Sequence, residues 1–502
     1  PPAPSSMGRK DRKGGGRRAP AAPVSRRTGF QRLVELLEPR PYVRLDPRFQ
    51  VHFDDLSDGS QSARVVAGDS ITEGEVLVTI PDQLQFHPRA TVVPKQARHQ
   101  VDVIAAELAS AAGPLTTPLL DERNTGHLEL VVLLSKLMLS QLPTENSSLQ
   151  AWKVYAQSLP QEPVPLPSLS GKEQDVKDAL RGTSIAEMVA EDRRSLERVA
   201  SCGVLERHGL TVDAFRRALS CVSSRMFSGI GLLPIIDQIN GTCQQDRSNV
   251  SLRVPSPGSP VFSLQATKKI NPGDELLLKY GDFSSGTFFY KYGWVEGGPA
   301  SAELSPAEEL VLPADIIFDG LDKLPQRVLE QRMNVTPETV GLSTGPNHPR
   351  LVWKPKFVLP RPKAEGTARW GSLPAVVRQV LVILSVPAST PEGRDVLQRM
   401  LNPNESMLGG CVTLAQVATT LARFLQEASA RLGSADGSPP SAPSEVPTEL
   451  QQSHAGDEGL QLCSRVWRAE LDIAQAWTER IKGWVTAAGA EAVVSAQSQE
   501  DG

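Results

Sequence analysis

Two stretches of this 502-residue chain hold side chains whose types and spacing could bind and act on a small charged molecule. The first runs Pro234-Ile235-Ile236-Asp237-Gln238-Ile239-Asn240-Gly241, preceded by Ser224-Arg225-Met226-Phe227. An asparagine amide offers both a donor and an acceptor, which suits an ammonium lying beside a carboxylate. An arginine fork takes a carboxylate bidentately. The plainer reading of Arg225 is an amphipathic-helix side chain meeting solvent. The second stretch is Gly273-Asp274-Glu275-Leu276, then Tyr280-Gly281, then Tyr292-Gly293-Trp294-Val295-Glu296. Either tyrosine alone is more often a core residue with a polar tip. Two such tyrosines in one stretch, each followed by glycine, are harder to dismiss.

Short strands and a block of helices must position these residues. Gln31 to Leu37 opens as helix. Strands are expected at Ala63 to Ala67 and Glu75 to Ile80, with Thr72-Glu73-Gly74 between them as a hairpin-like connection. His127 to Leu142 is a strongly apolar helix. Glu187 to Val199 and Val212 to Arg225 are amphipathic helices. Val250 to Val254 and Val261 to Ala266 pair around Pro255-Ser256-Pro257-Gly258. Glu275 to Lys279 is a third strand, entered through Asn271-Pro272-Gly273-Asp274. From about residue 305 helical patterns return at Pro374 to Leu384, Leu414 to Leu432 and Leu460 to Ala487. Residues 434–459, rich in Pro, Ser, Gly and acids, form a disordered linker.

The length exceeds one ordinary domain, so two are expected. A composition of 40% hydrophobic and 22% charged residues, with net charge -4, makes no case for nucleic-acid or membrane binding. The cysteines form no C-x-x-C pair, which argues against zinc; no metal site is expected, and a reducing compartment fits. No apolar run of about 18 residues suggests a membrane span. Residues 1–28 are basic and poor in acids and read as a disordered tail. Sharper readings are a transit peptide or a nuclear signal, leaving an organelle such as the chloroplast, or the nucleus or cytoplasm, as the compartment.

Several segments in order resemble SET-domain protein lysine methyltransferases, in the subgroup named for the RubisCO large-subunit methyltransferase. They are Val65-Val66-Ala67 with Gly74-Glu75 and Ile80-Pro81; Trp152-Lys153-x-Tyr155 with Leu159-Pro160; the Ser224 to Phe227 segment; the Pro234 to Gly241 segment, against a family pattern P-x-x-D-x-x-N-H; and the two tyrosine segments. The resemblance implies an α+β chain. Residues 29–297 would be a SET-type β fold of short strands with a helical insert at about 100–225. Residues 305–490 would be an all-α substrate-binding-like domain. It also implies S-adenosylmethionine as cofactor, bound by Gln61, Ala63, Arg225, Asp237, Asn240, Gly241, Tyr280 and Tyr292, with Tyr280 catalytic. The partner would be a protein bearing the target lysine, and the chain a monomer. Two departures stand out. The family's Gly-x-Gly is Ser62-Ala63-Arg64, so the Arg64 side chain must point away from the site. The histidine after Asn240 is Gly241, which would serve through its backbone while its lost side chain loosens the pocket.

The chemistry so implied has a definite barrier. A lysine with pKa about 10.4 is neutral in about one molecule in 2,500 at pH 7, a cost of roughly 4.6 kcal/mol. A narrow apolar channel lowers a lysine pKa by up to about 3–5 units. Aligning nitrogen, methyl and sulfur supplies about 7–11 kcal/mol more. Tyr280 would orient the reacting groups, and water would take the proton. The competing readings are a non-catalytic SET-like interaction module and a protein histidine methyltransferase.

Overall fold

The computed structural model describes residues 25–296 with breaks at 56–60, 91–92, 113–125, 143–146, 172, 181–182, 228 and 258. It also describes 305, 307–312, 357–360 and helical residues within 420–428 and 461–481. Ser25 caps the first helix, α1 (Arg26–Leu37), by accepting from Thr28 N at 3.2 Å. The helix therefore begins inside the segment expected to be a disordered tail, because Ser25 satisfies its first amides and Arg26, Phe30, Leu33 and Leu37 are buried. Strands β1 (Arg44–Leu45), β2 (Phe49–Asp55), β3 (Gln61–Ala67) and β4 (Val76–Pro81) follow.

The insert is helical: α2 (Lys95–Ala111), α3 (His127–Met138), α4 (Ser147–Ser158), α5 (Glu173–Ala179), α6 (Ala186–Ser201), α7 (Val204–Arg207) and α8 (Val212–Arg225). Thr211 caps α8 at 3.1 Å from Ala214 N, and Asp213 and Arg225 sit at the ends that suit the helix dipole. Then come β5 (Asn240–Thr242), β6 (Val250–Arg253), β7 (Val261–Ala266), β8 (Leu277–Lys279) and α9 (Ser285–Tyr292), with β9 (Glu309–Leu312) and β10 (Phe357–Pro360) beyond. The mixture is α+β.

Strands Val250 to Arg253 and Val261 to Ala266 pair antiparallel, as the alternating pattern predicts. The connection Thr72-Glu73-Gly74 is a turn, but not a hairpin. β3 pairs with β2, whereas β4 lies between β1 and β7 in a six-stranded sheet of order β1-β4-β7-β6-β8-β5. The chain diverges because Ile71 bonds across to Ile270 in both directions at 3.0 Å. β8 is inserted between β5 and β6 and runs parallel to both. That insertion lays the segment before Tyr280 directly against Gly241, which registers with Leu278.

Helix α1 packs closely on α4. A Cβ on Gly29 would lie 2.9 Å from Ser158 Cα, so glycine is required by space there. Residues 465–481 are helical, and Glu470 in that stretch accepts from Ser184 N at 3.0 Å, tying C-terminal helix to insert. The expected helix Pro374 to Leu384 and the linker 434–459 lie outside the described residues. No described helix is long and apolar enough to cross a membrane. Trp152 is fully buried, edge-on to Phe86 at 4.7 Å between ring centroids. Trp152→Ala is expected to cost about 3–5 kcal/mol in denaturant unfolding; a loss well under 1 kcal/mol would contradict this packing.

Candidate active site

Asn240 and Tyr280, far apart in sequence, meet because β5 and β8 are neighbours. Asn240 Nδ2 donates to Glu275 Oε1 at 2.8 Å and more weakly to the Ala63 carbonyl at 3.4 Å. A carboxylate only accepts, so Glu275 fixes which end of the Asn240 amide meets it. Asn249 supports the strand entry, donating to Glu275 O at 2.8 Å and accepting from Leu277 N at 2.8 Å.

Tyr280 donates its hydroxyl to the Ile239 carbonyl at 2.9 Å. Its ring lies 4.7 Å from that of Tyr292 and 6.2 Å from that of Phe288. Phe288 in turn meets Trp294 edge-on at 4.7 Å, and Phe283 completes an aromatic wall. Burial pushes the Tyr280 phenol up to about 12; the Arg225 charge opposes this, and Asp237 and Glu275 add to it. The hydroxyl therefore stays protonated at neutral pH and serves as a donor, never as a base. Burial raises the Tyr292 phenol too.

Below this pair lies a buried polar cluster. The Asp237 carboxylate is fully enclosed. It accepts from Tyr155 Oη at 2.5 Å and Gln238 Nε2 at 3.0 Å. Arg225, from the end of α8, donates to the Asp237 carbonyl at 2.7 Å and lies 3.9 Å from its carboxylate. Arg26, from α1, donates to Gln238 Oε1 and to the Gln61 carbonyl, each at 2.9 Å. Burial favours the neutral acid at Asp237, against the pull of Arg225 and the hydrogen bonds. It also lowers the pKa of Arg26, as does the Arg225 charge. The Nε–H groups of both arginines are buried with no hydrogen-bond partner. Arg225 faces the Asp237 carboxylate directly, and Arg26 reaches it through Gln238.

The backbone that carries Asp237 is bent sharply. Ile235 has φ 74° and ψ -54°, a strained positive-φ conformation near the γ-turn region for a buried, β-branched residue. Such outliers cost about 1–3 kcal/mol and concentrate at functional sites.

The structure brings Gln61, Ala63, Arg225, Asp237, Asn240, Gly241, Tyr280 and Tyr292 into one connected network. The carbonyls of Gln61 and Ala63 are engaged by Arg26 and Asn240, and the Asp237 carboxylate is enclosed by protein. Arg64 points away, as required, and pairs with Asp54 at 3.1 Å on the exposed side of β3. Arg26 and Gln238 escaped the sequence reading. Arg26 was hidden in a run of basic residues, and its signal was the Ser25 cap with Phe30 and Leu33 at helical spacing. Glu296, from the second tyrosine segment, accepts from Cys243 N at 3.1 Å and from the Thr242 hydroxyl, clamping the end of β5. No group of residues able to hold a metal occurs among the described residues, and Cys202, Cys221, Cys243 and Cys463 are free thiols.

No protein-family model and no curated protein matches this sequence. Solved structures do. The SET domain of LSMT bound to lysine and AdoHcy is 15% identical with a TM-score of 0.55, over 92% of each chain. Rubisco LSMT bound to AdoMet is 16% identical with a TM-score of 0.53, over 92% of this chain and 93% of the other. Rubisco LSMT bound to sinefungin and monomethyllysine is 16% identical with a TM-score of 0.52, over 91% and 92%. The chain has the SET-domain methyltransferase fold.

A phenol with a raised folded-state pKa contributes stability that is whole below its unfolded value. For Tyr280 that contribution is lost as pH rises from 10 through about 12. Alkaline unfolding curves of the wild type are expected to fall more steeply over this window than those of Tyr280→Phe. Parallel curves would show that the phenol is not buried as described.

Proposed function

We propose that this chain is an S-adenosylmethionine-dependent methyltransferase whose acceptor is a lysine side chain of another protein. One observation carries the reading: two guanidiniums with buried, unpartnered Nε–H groups lie around Asp237, Arg225 directly and Arg26 through Gln238, in the network that also holds Asn240. That donor and acceptor set fits the amino-acid end of the cofactor. Arg225 and Arg26 would hold its carboxylate, and Asn240 Oδ1 would accept from its ammonium. The backbone of Gly241 would line the same end, and those of Gln61 and Ala63 would flank it. When bound, the cofactor supplies a methyl group activated on a positively charged sulfur.

The chain's own contribution is orientation and desolvation. Tyr280 keeps its proton, so its hydroxyl orients and does not abstract. Its remaining lone pair can accept from the incoming amine. The aromatic rings of Tyr280, Phe283, Tyr292 and Trp294, backed by the buried Phe288, would make an apolar lining, which favours the neutral amine that attacks. Water takes the released proton. The SET-domain structures bound to lysine or monomethyllysine support lysine over histidine as the acceptor. Helical residues 465–481, docked through Glu470 on Ser184, fit a C-terminal region that grips the substrate.

A second reading, a SET-like module that binds a protein without turnover, is favoured by the carbonyls of Gln61 and Ala63 already being engaged within the protein.

Calorimetry with S-adenosylmethionine separates the two, since a module without cofactor shows no heat. Transfer of labelled methyl into lysate proteins, followed by mapping of the acceptor residue, then tests the lysine assignment. Tyr280→Phe is expected to bind cofactor normally and lose about 10²-fold or more in turnover, as loss of an orienting group does. Arg225→Ala is expected to weaken cofactor binding, because a buried charge-assisted contact is removed. Unchanged turnover in Tyr280→Phe would end the orienting role.

A further inference from the structure

Gly241 stands where the family pattern has histidine, and the obvious reading is a vacancy that loosens the pocket. The geometry says otherwise. An ideal Cβ built on Gly241 would lie 2.2 Å from both Cγ and Cδ1 of Tyr280 and 2.3 Å from Cδ2. Real Cβ atoms essentially never approach a neighbour within 3.0 Å. The volume of the missing side chain is filled by the tyrosine ring.

Neither partner can move aside cheaply. Tyr280 N is bonded to the Thr242 carbonyl at 3.1 Å, its hydroxyl to the Ile239 carbonyl at 2.9 Å, and its ring is backed by Tyr292. Gly241 is buried in β5 and registered against Leu278 of β8. Its φ is not in the left-handed region, so the backbone does not demand glycine. What demands glycine is space.

We infer that Gly241 is a positioning residue: the bare backbone at 241 is the seat that fixes the Tyr280 ring and so aims its hydroxyl. A side chain at 241 and the tyrosine in this position exclude one another. It follows that Gly241→His, which matches the family pattern, damages this protein instead of restoring it. The catalytic consequence rests on the methyltransferase reading; the packing consequence does not.

The test is a double-mutant cycle in the full chain with two readouts. In thermal melts, Gly241→Ala is expected to lower the midpoint in the wild type and to leave it unchanged in a Tyr280→Ala background, because the ring it strikes is gone. If Gly241→Ala alone does not fold, the double variant should still fold as Tyr280→Ala does. An equal loss in both backgrounds, an unfolded double variant, or no loss in the wild type overturns the seat. In transfer assays, Gly241→Ala and Gly241→His are expected to lower kcat by about tenfold or more, a larger loss than any fall in cofactor affinity. Wild-type turnover in Gly241→His overturns the positioning role. A wild type with no transfer at all sinks the methyltransferase reading, and the melts still decide the seat.

Discussion

Asp237 sits with its carboxylate wholly out of solvent, between a tyrosine from one helix and an arginine from another. Through Gln238 it reaches a second arginine from a third helix, and through that arginine the start of β3. Four separate stretches of chain are therefore tied at one point. Removing one partner of a buried charged pair typically costs about 3–5 kcal/mol, because the other is left uncompensated. Arg26 and Arg225 each keep a buried Nε–H group that no protein atom meets. A core that tolerates an unpaired cation must either solvate it or meet it with an anion.

The same cluster explains how an unfavourable backbone survives. Ile235 lies in a strained positive-φ conformation two residues before Asp237, and no glycine relieves it. Asp237 N bonds to the Leu233 carbonyl at 3.0 Å, which closes the bend. With the carboxylate locked beyond it, the turn has no cheaper path. The strained turn delivers Ile239 and Asn240 to the edge of the sheet, where β8 slides in beside β5 and brings Tyr280 over Gly241. Electrostatics at Asp237 and packing at Gly241 are thus two ends of one short segment.

Much of this was legible in the sequence, and the failures have physical causes. β7 and α8 were readable to the residue, since alternation, turn residues and end charges all agreed locally. β2 was missed although Phe49, Val51 and Phe53 alternate along it. Its pairing to β3 spans a loop, and local pattern does not choose partners. The hairpin reading at Thr72-Glu73-Gly74 erred in the same way. The turn was correct, but Ile71 found its partner at Ile270, 199 residues further along the chain. Arg26 was lost because charged residues are almost never fully buried unless paired, and the pair, Gln238 and the Gln61 carbonyl, cannot be seen from its neighbours.

The two departures from the family pattern show why a changed motif must be read through the volume it changes. Arg64 adds a long charged side chain where a glycine is expected. Alternation along β3 settles its fate: Val65 faces inward with no exposure, so Arg64 must face outward, and Asp54 meets it there. The addition is harmless because the strand had already assigned it a side. Gly241 removes a side chain, and a removal has no side to be sent to. Interiors are close-packed, so some neighbour must occupy the space or stability is lost. The neighbour that does so is Tyr280, whose ring gains a rigid seat by the exchange. A substitution that looks like a deletion in the motif is, in three dimensions, a coupled change in where Tyr280 stands.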